Sequence, residues 1–202
     1  MSNSTAEEKK TRGGKREEIL RAALKVFAEG GVNGVPVPRI AAEAGVSPGL
    51  LYRYFDNKED MVNELFREQK RKLSHHIFAD LKEGGDHYKN FCVVWARLVS
   101  FIESEPDAFR FMELQDHRPY LTKQSTDYEN KHLAVWMQYY KSMQKQGVYR
   151  KDIKPEILLT LFWGAFINLF KSTHSGLIAP SKRELNRARD VCWSMLVGNT
   201  SG

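Results

Sequence analysis

Val35-Pro-Val-Pro-Arg-Ile40-Ala-Ala-Glu-Ala-Gly45-Val-Ser-Pro-Gly-Leu50-Leu-Tyr-Arg-Tyr-Phe55-Asp-Asn-Lys58 reads as two short helices joined by a tight turn. A proline at the first turn opens the first helix, and Gly45 closes it. Glycine suits that turn because a side chain strains the backbone at positive φ. Ser47 can cap the second helix, with Pro48 at its first helical position, and that helix runs to about Phe55. Ile40, Ala41, Ala44, Val46, Leu51 and Phe55 fall on the inner side, and the small alanines let the helices approach closely. Ser47, Pro48, Gly49, Tyr52, Arg53 and Tyr54 are left on the outer face or at the helix start, with Arg39 before them and Lys58 one turn after. Arginine and tyrosine reach phosphates or base edges, and a glycine admits a groove wall closely. The pattern fits a helix-turn-helix, whose second helix enters the major groove of duplex DNA. Leu50 either touches a thymine methyl or packs inward.

On the N-terminal side, Ile19, Leu20, Ala23, Val26 and Phe27 recur at helical spacing. They predict a helix over about Lys15 to Glu29, stopped by Gly30-Gly31. Residues 1–14 are nearly free of apolar side chains and read as a flexible basic tail. Its Lys9, Lys10 and Arg12, with Lys15 and Arg16, either follow a DNA backbone or stay solvated. On the other side, Asp56 or Asn57 can cap a fourth helix that runs to about Phe78 and joins the two parts of the molecule.

The block resembles the TetR family of bacterial regulators. The matching residues are Ile40, Ala41, Ala44-Gly45-Val46-Ser47, Leu51-Tyr52, Tyr54-Phe55, Asn57-Lys58-Glu59 and Leu65, with Ile19 to Phe27 and Gly30-Gly31 in support. The close likeness covers residues 15–66. It implies an all-α fold, with an N-terminal three-helix DNA-binding domain (15–66) and a C-terminal helical domain (67–202) for ligand binding and dimerisation. By the same resemblance Tyr52 and Lys58 grip phosphates, while Ser47, Pro48, Gly49 and Tyr54 lie at the major groove. Val35-Pro36 stands where many members open helix two with threonine, and Pro38 where a basic residue is frequent, which puts phosphate contacts from helix two in question.

From Asp86 onward every segment is helical, for about nine helices in all. The fifth spans His87 to Ser104, and a short sixth spans Pro106 to Leu114. A loop or broken helix follows over residues 115–127. The last three run Tyr128 to Gln146, Pro155 to Ser172 and Ser181 to Val197. Trp95, Phe111, Trp136, Tyr140, Phe166 and Phe170 are candidates to line a small-molecule pocket, with Tyr128 and His117 as polar contacts. His117 lies in the polar run Gln115-Asp116-His117-Arg118, near His132. Leu158, Phe162, Ala165 and Leu169 on one helix, and Ala188, Val191 and Met195 on another, form a candidate homodimer seam.

Charge and composition narrow the classes. The formal net charge is +6, shared as +3 over residues 1–72 (14 Lys and Arg against 11 Asp and Glu) and +3 over the rest (17 against 14). A DNA reading therefore rests on local placement and not on a basic half. The longest apolar run, Ile157 to Phe170, is interrupted by Thr160, Gly164 and Asn168 and is too short for a bilayer, so no membrane partner and a cytoplasmic location are expected. Cys92 and Cys192 lack metal-ligand spacing, and Asp116, His117 and His132 do not supply it, so no metal and no cofactor are expected. No nucleophile elbow, phosphate loop or HExxH is present, which argues against an enzyme. The expected partners are double-stranded DNA with a near-palindromic operator, a small-molecule effector and a second copy of the chain. The function this implies is a repressor released by a small, largely apolar ligand, with helix four carrying the signal. Alternatives are an activator, a ligand-independent DNA binder, or a helical protein-binding adaptor.

Overall fold

The computed structural model describes residues 2–79, 85–114 and 117–198, with side chains from Gly13 onward. Among them it contains nine α-helices and no strand: α1 (Ser2–Gly34), α2 (Val37–Glu43), α3 (Pro48–Leu51), α4 (Lys58–Phe78), α5 (His87–Ser104), α6 (Pro106–Phe109), α7 (Lys123–Lys145), α8 (Pro155–His174) and α9 (Lys182–Val197). A wide π turn, Arg110–Leu114, prolongs α6, and a 3₁₀ turn, Arg118–Tyr120, precedes α7.

Several boundaries differ from the sequence expectation. α1 begins at Ser2, where a tail was expected. Ala6, Glu7, Glu8, Lys9 and Lys10 are good helix formers, and they extend a helix whose nucleus is already formed by the apolar stripe. The side chains of Lys9, Lys10 and Arg12 lie outside those described. The helix breaks at Gly31 (φ 72°), within the expected Gly pair. α3 is a single turn ending at Leu51, although turn-type hydrogen bonds continue to Phe55, whose amide donates to the Leu51 carbonyl at 3.2 Å. α7 starts at Lys123, five residues earlier than expected. Thr122 caps it by accepting a hydrogen bond from the Ser125 amide at 3.4 Å. At the last helix, Ser181 and Glu184 exchange the two bonds of a capping box.

By packing, the chain divides into two compact units. The first holds residues up to Lys72 together with Ile102–Asp127, and the second holds Leu73–Phe101 and the chain from Tyr128. The reason is the apolar content of α6. Ala108, Phe109, Phe111 and Met112 are buried, and Phe111 stacks on Phe27 of α1 with ring centroids 6.3 Å apart. The core of the first unit adds Ile19, Ile40, Leu51, Phe55, Leu65 and Phe66, all nearly fully buried.

The second unit is built on aromatic contacts. Trp95 meets Phe166 edge-on at 5.1 Å, Phe166 packs on Phe170 at 4.8 Å, and Phe91 meets Phe162 at 5.7 Å. Tyr140 and Tyr149 pack at 5.1 Å and are almost fully buried. Burial disfavours the phenolate, so both hydroxyls ionise well above their ordinary range. In the unfolded chain they release protons near their ordinary pKa of about 10. A group whose folded pKa is raised contributes fully only below its unfolded pKa, and the contribution is lost as pH climbs from there towards the folded value. Thermal melts between pH 8 and pH 11 should therefore fall steeply above about pH 10, and Tyr149→Phe should flatten that fall. An equal slope in the variant would show that Tyr149 does not drive it.

Candidate nucleic-acid interface

α2 and α3 meet at a turn fixed by three backbone bonds. The Ala44 amide donates to Ile40 at 3.0 Å, the Gly45 amide to Ala42 at 3.1 Å, and the Val46 amide to Ala41 at 2.9 Å. Gly45 has φ +63°, the left-handed conformation that the sequence pattern required. Ser47 takes an extended conformation, and its hydroxyl accepts from the Leu50 amide at 3.2 Å, which starts α3. Ile40, Ala41, Leu51 and Phe55 are buried, while Ala44 and Val46 are half-buried.

The opposite side of this pair is open. Ser47, Pro48, Gly49 and Arg53 are exposed, Tyr52 is 53% exposed, and Tyr54 is half-buried. Arg39 is exposed and pairs with Glu29 at 3.1 Å. Lys58 is half-buried and committed: its ammonium donates to the Val32 carbonyl at 3.0 Å and to the Val35 carbonyl at 3.4 Å. These carbonyls lie in the last turn of α1 and just beyond it, so Lys58 ties the start of α4 to the end of α1. An ammonium has three donors, which leaves one for an outside acceptor. α2 begins at Pro36 without a side-chain cap, in line with the Val35-Pro36 departure noted in the sequence.

The rest of the first unit holds this pair through α4. Arg16 pairs with Glu64, and its guanidinium lies 4.7 Å from the centroid of the Phe55 ring. Asn63 is 2% exposed and bonds to the segment that enters α7. Sequence reading missed this contact. Its one signal was a polar residue beside the apolar stripe of Met61, Val62, Leu65 and Phe66.

The ligand candidates fall in both units. Phe111 and His117 belong to the first, where the His117 ring packs on Phe66 at 4.8 Å and on Phe111 at 5.6 Å. Both are buried in that core. Trp95, Tyr128, Trp136, Tyr140, Phe166 and Phe170 belong to the second unit. Trp136 packs on Phe78 at 4.8 Å, and Tyr128 on His132 at 4.3 Å. Gln115 and Asp116 lie outside the described residues. An open groove of about 540 Å³ in the first unit is lined by Glu18, Arg21, Lys25, Glu43 and Asp107 among others, a charged wall unlike an apolar pocket.

The seam candidates are corrected in part. Leu158 and Phe162 are buried in the protomer's own core, at 0% and 2% exposure. Ala165 is exposed, Leu169, Ala188 and Met195 are half-buried, and Val191 is 69% exposed. The outward stripe of α8 is offset by one residue, with Ile157 and Leu161 on it. α8 is apolar on several sides, and periodicity alone does not say which stripe faces in.

Two family models together match residues 19–197. The bacterial regulatory protein, tetR family model matches residues 19–65, and the tetracyclin repressor-like C-terminal domain model matches 66–197. The chain belongs to the TetR family. It is a DNA-binding transcriptional regulator. The fatty acid metabolism regulator protein of Bacillus subtilis is 33% identical over 88 residues, 44% of this chain. That match spans 45% of the relative, less than half its length. The transcriptional repressor KstR2 of Rhodococcus jostii is 26% identical over 164 residues, 78% of each chain. Among solved structures, a TetR family regulator from Marinobacter aquaeolei aligns with a TM-score of 0.81 at 20% identity, covering 93% of this chain and 98% of that one. Among the described residues no helix is long and apolar enough to cross a membrane, and no three His, Cys, Asp or Glu side chains could hold a metal ion.

Gly45 gives the test of the turn. Nothing lies within 4 Å of an added Cβ, so Gly45→Ala introduces backbone strain alone. The variant should lose about 1 kcal/mol in urea unfolding, and Gly45→Asn should lose less. Equal stability of Ala and Gly would mean that the turn relaxes out of positive φ.

Proposed function

We propose that this regulator is a homodimeric repressor that binds a near-palindromic operator and is released by a small, largely apolar ligand. The observation that carries the DNA part is the open face of α3, where Ser47, Pro48, Gly49, Tyr52 and Arg53 project from a turn whose inner side is fully packed. Tyr52 and Arg53 meet phosphates or base edges, Gly49 lets the groove approach, and Tyr54 supports the same surface. Arg39 and the remaining donor of Lys58 flank it as phosphate contacts. Dimerisation is supported by the exposed apolar stripe of α8 and α9, on which Ile157, Leu161, Ala165 and Val191 stand, with Leu169, Ala188 and Met195 at its border. Two copies joined there carry their reading helices at the spacing of successive major grooves, about 34–36 Å.

The ligand part rests on the second unit. Trp95, Trp136, Tyr140, Phe166 and Phe170 supply apolar walls, and Tyr128 a hydroxyl, the composition that takes a lipophilic guest. The relative named as a fatty acid metabolism regulator makes fatty acids the first probes to try. A ligand releases the operator only to the extent that it binds the two conformations unequally.

Labelled duplex from the region upstream of the gene, titrated with protein at several salt concentrations, tests the DNA reading by fluorescence anisotropy. Specific binding should weaken steeply with salt as counterions return, and Tyr52→Ala should lose about tenfold or more. Binding that stays level with salt and no tighter than to random duplex would favour a protein-binding adaptor. Sedimentation tests the seam. The native chain should be a dimer, and Leu161→Glu, which places a charge on the stripe, should be a monomer with weaker operator binding. A native chain that sediments as a monomer at micromolar concentration would sink the dimer reading.

A further inference from the structure

Asn63 lies in the interior of the first unit and uses its whole hydrogen-bonding capacity. Its Nδ2 donates to the Glu59 carbonyl at 2.8 Å and to the Tyr120 carbonyl at 2.7 Å. Its Oδ1 accepts from the Thr122 amide at 2.8 Å and from the Thr122 hydroxyl at 3.1 Å. Two donors face carbonyls and two acceptor positions face donors, so the amide orientation is determined. An aspartate here would set carboxylate oxygens against two carbonyls, and an alanine would leave buried groups without partners.

Thr122 is not an arbitrary partner. Its hydroxyl caps α7 through the Ser125 amide, so Asn63 holds the cap that starts α7. One turn along the same face of α4, Arg67 donates to the fully buried Ser125 hydroxyl at 2.8 Å. The Tyr120 hydroxyl donates to Asn33, in the last turn of α1 before α2. At the start of α4, Lys58 binds the carbonyls of Val32 and Val35. The end of α1, the start of α4 and the start of α7 thus form one bonded cluster, which reaches the chain just before α2. α7 then runs on past Asp127 into the second unit.

We infer that Asn63 is the positioning residue that references the pose of the DNA-reading helices to the first turn of α7. On this inference, which rests on the DNA-binding reading above, α7 shares with α4 the task of carrying the state of the second unit to the operator. Asn63 does not touch DNA; it acts through Tyr120, whose hydroxyl binds Asn33 shortly before α2.

The full chain, its Asn63→Ala variant and its Tyr120→Phe variant are compared on a duplex selected from a random pool by the native chain. Asn63→Ala should lose about tenfold or more in affinity for the selected duplex, with random-duplex affinity and salt slope unchanged. Tyr120→Phe removes one hydroxyl from a half-buried ring and keeps the fold, and it should lose affinity in the same specific manner by a smaller factor. Hydrogen exchange should show the Thr122 amide and the first turn of α7 opening in Asn63→Ala, together with α2, while α9 stays protected. Native affinity in both variants, or an equal loss on selected and random duplex, would overturn the inference. A native chain that selects no duplex at all would overturn the DNA-binding reading and the inference with it, a result distinct from failure in the variants alone.

Discussion

Phe27 is fully buried, and two separate parts of the chain are built on the helix that carries it. Its neighbours Ile19, Ala23 and Val26 are buried with it, α1 packs on α2, and its ring stacks on Phe111 beyond α6. A four-residue helix such as α3 has no stability of its own, because the cost of nucleation exceeds what one turn returns. It persists because Leu51 and Phe55 are held against this core and because Ser47 and Pro48 fix its first turn. The polar outer face of α3 is free to read another molecule because its inner face carries the whole burden of staying folded. The same core draws Ile102–Asp127 into the first unit, and that segment in turn delivers Tyr120 and Thr122 to Asn63.

The helix-turn-helix was legible because its determinants are local. Gly45 needs positive φ, Ser47 needs a donor three residues ahead, and Ile40 and Leu51 fall at helical spacing whatever surrounds them. The two stripes of α8 were not separable on the same grounds. Leu158, Phe162 and Phe166 form one, Ile157, Leu161 and Ala165 the next, and both are apolar. A helix that is apolar on several sides carries no phase in its pattern, so which stripe faces the core depends on partners distant in sequence. The place of Phe111 and His117 in the core of the first unit was not legible for a similar reason. The π turn at Arg110–Leu114 shifts the register after α6, and Phe27 and Phe66, far away in the chain, claim both rings. Asn63 was invisible because hydrogen bonding to a segment nearly sixty residues ahead leaves no periodic trace.

Regulation by a ligand imposes a further condition on this architecture. If operator affinity is to change by a useful factor, the reading helices must have two poses separated by a few kcal/mol. A tightly packed apolar core is poorly suited to supply that alone, since its packing resists small continuous shifts. Buried hydrogen bonds are better suited, because they are either made or broken and leaving them open is costly. The contacts of Lys58, Asn63, Arg67 and Tyr120 are of this kind, and they tie the end of α1, just before α2, to the starts of α4 and α7. The chain leaves the first unit inside α4, returns inside α5 and leaves again inside α7. The polar contacts at the starts of α4 and α7 are therefore the parts of the first unit suited to hold discrete poses of the reading helices.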